Sequence, residues 1–443
     1  MKHAMATGAQ SHPTTFTALS EHRTARLAAI IVLYFLQDVP LGLLLIALPA
    51  WLAEAGATPV EVGAFAGVAL LPWSAKLFNG LVMDRYAYKP MGRRRGWILL
   101  SQSLMVAVLI AMVIVAPGVS DIALLSGLCF ALNLCATFSD VAVDGVAVDI
   151  VPESERTAIN SVMFASQAVG IAACSFVAGQ LLASSCITRT AVIMAVLVAC
   201  ASLFVSIFRE RPGERLLPWS LGEASRECED RQQTAWWPLL AGIVRSVLAP
   251  RTLLFLLAAA CAGTYLAFSD AVNPTLAVQR LGWSSDRYSN FGATVNLAAA
   301  GCGLFIPVLG ERFFGLRRSI FGQLVLLIVL SLAAGLSFAT WQGDTAFIVF
   351  SVALYILSMT TTISAIVWAM RICNPAIAAS QFALFMAVPN LSRSFMTGNS
   401  GWLVEGEGYG ATYLAVAGVL AVGLVLAWLA RVGDDSQLPG TAQ

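Results

Sequence analysis

Asp140 and Asp144 stand four residues apart, so on a helix they project from one face about one turn from each other. Two carboxylates this close in a poorly solvated place are penalised if both ionise, and one of the pair can then hold a proton near neutral pH. Asp144 is the first candidate for a proton carrier, because the run Gly145 to Asp149 leads from it to a surface, and Asp140 is the deeper member. A fixed ion pair with Lys76 is the alternative use of the same residues.

Other polar residues sit inside apolar runs, where a central charge costs about 2.5–3.5 kcal/mol even on lenient scales and needs a partner or a water-filled cavity. Gln37 and Asp38 precede Pro40, and Asp270 and Asn273 precede Pro274. A proline without its amide hydrogen frees a carbonyl one turn earlier and loosens the helix. Both segments can therefore bend and offer polar groups, to a solute or merely to a packed kink. Arg393 lies beside Asn390 and Ser394. Its planar guanidinium keeps its proton and suits a carboxylate or phosphate, or else a structural pair with Asp270 or Asp38. Asp38, Gln37, Lys76, Asp270, Asn273, Asn390 and Arg393 are thus the candidate solute-binding residues. Thr360, Thr361 and Thr362 add little, since hydroxyls also bond their own helix carbonyls. Asp84, Arg85, Arg93, Arg94 and Arg95 are read as a surface anchor and gate lock, with Asp149 as a latch at a helix end and Glu311 and Arg312 as the matching pair further on.

The elements that must hold these residues are membrane helices. Of 443 residues 58% are hydrophobic and 12% charged, against roughly 25% charged in an ordinary soluble protein. A span needs about 20 mainly apolar residues. Twelve such runs are predicted, at 27–52, 59–83, 97–116, 121–148, 158–183, 187–208, 252–278, 287–310, 319–340, 345–370, 378–403 and 411–431. An even number puts both termini on one side. With the termini inside, that side collects Lys2, Arg23 and Arg26, the five basic residues Arg85 to Arg95, Arg156, seven from Arg209 to Arg251, Arg312, Arg317, Arg318, Arg371 and Arg431. The other side holds only Arg189, Arg280 and Arg287, so the positive-inside rule places both termini in the cytoplasm.

Two halves of six spans repeat each other. Asp84-Arg85 matches Glu311-Arg312, and Asp38 with Pro40 matches Asp270 with Pro274 at a similar offset. Two six-helix bundles joined by a charged linker is the architecture of a major-facilitator transporter, in which the site lies near the midplane between halves. The expected organisation is a tail at 1–26, a bundle at 27–208, a linker at 209–251, a second bundle at 252–431 and a tail at 432–443. Within the linker, Trp236 to Leu248 suits a short helix lying on the membrane face.

Absences narrow the chemistry. Lys2, Lys76 and Lys89 are the only lysines and none lies in a G-x-x-x-x-G-K-[ST] loop, so the chain carries no ATP-hydrolysing motor and the proton gradient is the expected energy source. His3, His12 and His22 all lie in the N-terminal tail, so no imidazole carries protons inside the membrane. The nine cysteines form no C-x-x-C pair and read as small core residues, so neither a metal nor a cofactor is expected. The net charge of +1 argues against nucleic acid. No cleavable signal precedes the first apolar run, which is expected to stay as a span. The expected partners are a small-molecule substrate, protons and the lipid bilayer, with the chain a monomer.

The blocks Pro72 to Tyr86 and Gly92 to Gln102 resemble the span 2–3 signature of AmpG-type anhydromuropeptide permeases. Ser139 to Gly145 is similar to that family's Q-D-I-x-x-D pattern, Cys373 to Leu384 to its S-A-T-Q-F-A-L segment, and Gly401 to Val404 is also family-like. The resemblance covers nearly the whole chain. It implies a proton-driven inner-membrane importer of N-acetylglucosaminyl-anhydro-N-acetylmuramyl peptides, with Asp140 and Asp144 as the carboxylates of span 4, Lys76 as the lysine of span 2 and Arg393 as the arginine of span 11. Gln37 to Gly42 looks as close to the related siderophore importers, which share Q-G-x-P-x-G, with Asp38 here in place of the small residue.

The resulting expectation is an all-α, twelve-span transporter, a proton symporter that moves a polar or anionic solute inward. A siderophore, an acyl-thioester and a sugar derivative are rival cargoes, and a non-transporting receptor or assembly factor is the rival of another class. An enzyme is disfavoured, because no nucleophile and base come together in the spans.

Overall fold

The computed structural model describes residues 18–152, 155–184, 187–226, 228, 249–372 and 378–432, apart from the side chains of residues 77, 156–158 and 378–380. Trp236 to Leu248, the expected interfacial helix, lies outside the described residues, as does most of each tail.

Ten helices among the described residues are long and apolar enough to cross a bilayer, and a bent pair makes an eleventh. In chain order α1 is Arg23–Glu54, α2 is the bent pair from Pro59 to Arg85, α3 is Arg95–Val115, α4 Ile122–Ile150, α5 Arg156–Ser184 and α6 Ile187–Ser206. The second half has α7 at Pro250–Arg280, α8 at Ser285–Phe314, α9 at Leu316–Ser337 and α10 at Thr345–Ile372. A 52-residue helix, Ala378–Leu429, then runs to the end. At 1.5 Å per residue it would measure about 78 Å, far beyond a hydrocarbon core of about 30 Å. Gly408, with φ 83° and ψ 170°, breaks it into two arms, α11 before and α12 after. The left-handed φ is one that glycine adopts without strain.

Three further helices among the described residues depart from regular α geometry where the sequence supplies the means. α1 is interrupted at Asp38, before Pro40, and relaxes through a π-helical turn at Leu43–Ala47. α7 repeats the device, with Pro274 inside the helix and a π-helical turn at Leu276–Arg280. The two aspartates sit just ahead of matching π-helical turns, and a proline lies between each aspartate and its turn. α2 bends by 46° around a 3₁₀ turn at Leu71–Ala75, whose Pro72 cannot donate to the α-helical ladder.

α1 to α6 pack among themselves, as do α7 to α12, and the halves meet chiefly along α2 with α11 and α5 with α8. These seams are tightest on the side away from the basic loops. There Gly63 and Gly67 of α2 face Gly398 and Gly401 of α11, and a Cβ on Gly401 would fall 2.1 Å from the Pro59 carbonyl oxygen. Small residues four apart let helix backbones approach this closely. Hydrogen bonds complete the seal: Gln279 Nε2 donates to the carbonyls of Ala53 (3.0 Å) and Ala57 (2.7 Å), and the Val60 N–H to Glu405 Oε1 (3.2 Å).

On the basic side the bonds close within each half. Asp84 Oδ1 accepts from Arg93 (2.9 Å) and Arg94 (2.6 Å), and Arg93 also reaches Asp149 at 3.8 Å. In the second half Glu311 pairs with Arg371. Arg85 is exposed, with its guanidinium 5.7 Å from the Tyr86 ring, and Arg312 is exposed as well.

Candidate functional site

A cavity of about 290 Å³ lies between the halves, beneath the sealed face. α2 delivers Trp73 and Lys76 to it from the bend, α7 delivers Asp270 and Asn273 from the turn before Pro274, and α11 delivers Asn390 and Arg393. Five of the seven residues expected to bind solute therefore line one space. The other two, Gln37 and Asp38, stand behind its wall and do not border it. Gln167, Tyr288, Phe291, Asn296 and Tyr355 line the cavity as well, and nothing in the sequence reading singled them out.

Each half presents one ion pair. In the first half Lys76 Nζ meets Asp140 Oδ2 and lies 4.2 Å from the centroid of Trp73, a cation held between a carboxylate and an aromatic face. Trp73 is fixed in turn, since its Nε1–H donates to Asn133 Oδ1 at 3.0 Å. In the second half Arg393 meets Asp270 side-on, Nε to Oδ2 at 2.7 Å and Nη2 to Oδ1 at 2.8 Å. Both alternatives weighed for these cations, the static pairs with Asp140 and with Asp270, are what this conformation holds. Free charges are thus replaced by two dipolar pairs facing one solute-sized space. Breaking either would leave a largely buried ion uncompensated, at a cost of about 3–5 kcal/mol, so a solute that separates them must supply equivalent charge.

Two further carboxyl contacts lie beside Lys76. Gln37 Nε2 donates to Asp140 Oδ1 at 3.0 Å, and the Tyr34 hydroxyl donates to Asp144. Asp140 is 3% exposed, whereas Asp144, one turn nearer the basic face, is exposed. The pair on α4 is therefore split in environment: one carboxyl is enclosed and held by a lysine, and the other is exposed. Across the cavity wall the Asn390 amide reaches the Trp73 carbonyl at 3.5 Å and Ser394 Oγ donates to the Gly67 carbonyl at 2.6 Å, so α11 and the bend of α2 are tied together beside both ion pairs.

A charged layer covers the basic end of the first half. Glu210, just after α6, is buried and accepts from the backbone N–H groups of Arg93 (3.1 Å), Arg94 (3.0 Å) and Arg95, the free donors at the start of α3. Gly92 makes room, since a Cβ there would lie 2.5 Å from Glu210 Oε2. The Arg95 guanidinium donates to the carbonyls of Ser206, Arg215 and Leu216. Arg95 thus clasps the linker and does not join Asp84, a different task from the gate lock expected of it. Burial, reinforced by Glu214, pushes the Glu210 carboxyl up to about 7 against the pull of its N–H partners.

Twelve apolar helices among the described residues, in two halves with a sealed seam and an intervening polar cavity, agree with the family model for the Major Facilitator Superfamily, which matches residues 30–397. The chain belongs to that superfamily. Among relatives of this major-facilitator protein, the anhydromuropeptide permease of Escherichia coli (strain K12) is 24% identical over 427 residues, 92% of this chain and 80% of the relative. Putative transporter AmpG 4 of Rickettsia felis is 30% identical over 193 residues, 42% of this chain and 46% of the relative. Solved structures agree on the fold. The nucleoside transporter NupG superposes with a TM-score of 0.65 at 16% identity, covering 91% of this chain and 98% of that one. A bacterial homologue of the human lysosomal transporter Spinster, inward-facing and occupied, superposes with a TM-score of 0.69 at 14% identity over 95% and 99% of the two chains. The protein is a multi-pass membrane transporter of the secondary class, and not an enzyme.

Proposed function

We propose that this transporter is a proton symporter of the inner membrane that imports a polar, anion-bearing solute of the anhydromuropeptide type. The observation that carries the reading is the cavity with one ion pair from each half, Lys76–Asp140 and Arg393–Asp270. A solute carboxylate that draws Arg393 from Asp270 frees one charge, and protonation in the Asp140–Asp144 group offsets another, so solute and proton are bound by one network. Amides at Asn273 and Asn390 and the indole of Trp73 suit the hydroxyls and apolar faces of a sugar. At about 290 Å³ the closed space takes one portion of such a solute, and the remainder extends towards the basic, cytoplasmic side where Asp144 is exposed. That orientation follows the excess of arginine on the loops of that side. The gradient supplies the energy, with no cofactor in the cycle.

The test uses proteoliposomes with a trapped pH dye, challenged in turn with an anhydromuropeptide, a ferric siderophore and an acyl-thioester. Acidification with the anhydromuropeptide alone supports the reading. Acidification with another of the three replaces the cargo, and silence with all three in folded protein counts against symport and favours a receptor.

A further inference from the structure

Asp38 is 0% exposed, and neither of its carboxyl oxygens has a hydrogen-bond partner of ordinary geometry. The amides of Gln37 and Gln167 stand near it, and Asp140 and Lys76 are the charged groups that act on it. Its counterpart in the second half, Asp270, is in a different position: Asp270 holds Arg393 in a two-bond fork. Where α11 supplies that arginine, α5 supplies Gln167, an uncharged side chain. The cation nearest Asp38 is Lys76, and Lys76 is already engaged by Asp140.

Charge accounting then constrains the cluster. Three carboxyls, Asp38, Asp140 and Asp144, act on Lys76, and the one other titratable group facing them among the described residues is the Tyr34 hydroxyl, which donates to Asp144. An enclosed carboxylate without cation or donor costs several kcal/mol in a membrane interior. Asp140 can ionise against Lys76, and Asp144 is exposed, but Asp38 is enclosed with only the neutral amides of Gln37 and Gln167 beside it and Lys76 already engaged. A neutral acid needs only the volume it already fills. Its place at the break of α1, where Asp38 caps one helical piece and the next begins at Val39, lets small movements of the bend change what the carboxyl faces.

We propose that Asp38 is a second proton-binding residue of the transport cycle, holding a proton that it exchanges with Asp140 when Lys76 changes partner. In that exchange the O–H bond at Asp38 breaks and one forms at Asp140, while the Lys76 ammonium moves from Asp140 to Asp38. The cluster's charge is unchanged, so the step needs no solvation of a bare ion. Gln37, next to Asp38 in the chain and bonded to Asp140, connects the two sites. The inference rests on the proton-coupled reading, and its test separates the two.

The first arm is infrared difference spectroscopy of the full chain in lipid vesicles, without cargo, following the C=O stretch of protonated carboxyl groups during transfer to heavy water. Wild type is expected to show a carboxylic acid band that exchanges slowly, as a sealed site requires, and Asp38→Asn is expected to remove it while Asp144→Asn leaves it. A slow band that persists in Asp38→Asn, or wild type with only fast-exchanging bands, would overturn the assignment. The second of these readouts needs no variant and so survives a failure of Asp38→Asn to fold. The second arm is gradient-driven accumulation of an anhydromuropeptide: Asp38→Asn is expected to lose about tenfold or more, with exchange between loaded vesicles kept. Unchanged accumulation in a variant that has lost the band would overturn the role in the cycle. If wild type itself shows no proton-driven uptake, symport fails, while the infrared result still decides where the buried proton sits.

Discussion

Arg393 and Asp270 meet through two parallel hydrogen bonds, of 2.7 and 2.8 Å, that join α11 to α7 at the edge of the cavity. Such a fork uses the planarity of the guanidinium, which an ammonium lacks. Arg393→Lys keeps the charge and loses the fork, so affinity for an anionic cargo is expected to fall at least about tenfold, roughly 1.4 kcal/mol. Arg393→Gln strands Asp270 and is expected to lower the melting temperature as well. The double change Arg393→Gln with Asp270→Asn should recover the melting temperature but not uptake, because the stranded charge is gone while the cargo's partner is still missing. Melting curves beside uptake assays distinguish these, and full uptake in the double variant would reject Arg393 as a cargo ligand.

The glycine seam makes a second, conformational prediction. Cβ atoms would fall 2.1 Å from the Pro59 oxygen at Gly401 and 2.7 Å from the Gly398 Cα at Gly67, both against backbone that cannot swing aside. Gly401→Val is therefore expected to disfavour this closed arrangement and raise the population open on the far side. With a cysteine introduced at Ser269, on the cavity wall, a membrane-impermeant maleimide applied from outside should label the Gly401→Val background several-fold faster than the parent. Equal labelling rates in folded protein would show that the seam does not set the equilibrium.

Much of this was legible in the sequence because lipid makes charge expensive. Asp38, Lys76, Asp140, Asp270 and Arg393 stand out in apolar runs, and the structure brings all but Asp38 into two pairs at one cavity. Proline spacing likewise marked the segments of α1 and α7 where the helix loosens into a π-helical turn. What stayed hidden depends on rotation and distance. Tyr288, Phe291 and Tyr355 are the same residue types whether they face lipid, core or cavity, and a helix whose every face is apolar gives periodicity nothing to report. The four-residue spacing of Gly63 and Gly67 was a readable signal for close helix approach that passed unused. Arg95 was misplaced for another reason. In G-R-R-R the three arginines are equivalent as a string, and only the fold-back of residues 206–216 gives the third one carbonyls to hold.

That fold-back carries a pH dependence. The Glu210 carboxyl is raised from its ordinary 4.5 to about 7, by burial first and then by Glu214 and Asp149, against the N–H groups of Arg94 and Arg95. The folded clasp therefore binds its proton more tightly than the open chain does, and between about pH 4.5 and 7 its stability falls as pH rises, by at most about 1.4 kcal/mol per unit, then levels off. Glu214 is raised as well and steepens the trend. Amide hydrogen exchange over residues 209–226 should become faster across that window, after correction for the intrinsic rate. Glu210→Gln should flatten the dependence, and a slope that survives the substitution would place the responsible proton elsewhere.

Asp144 supplies the last prediction, because its setting differs from that of its neighbour on the same helix face. It is exposed and receives the Tyr34 hydroxyl, whereas Asp140 is enclosed and held by Lys76 and Gln37. A group that takes protons from outside the fold must be reachable, and of the two only Asp144 is exposed. Asp144→Asn is thus expected to abolish gradient-driven accumulation while leaving cargo exchange between loaded vesicles, since exchange needs binding and movement but no net proton transfer. Asp140→Asn should behave differently. It leaves the Lys76 ammonium without its carboxylate, so both accumulation and exchange should fall, together with the melting temperature. Tyr34→Phe removes one donor from Asp144 and no bulk, and should slow accumulation by several-fold without abolishing it. The three variants together assign the roles: identical behaviour of Asp144→Asn and Asp140→Asn would mean that the pair works as one unit, and accumulation by Asp144→Asn equal to wild type would remove Asp144 from the proton path.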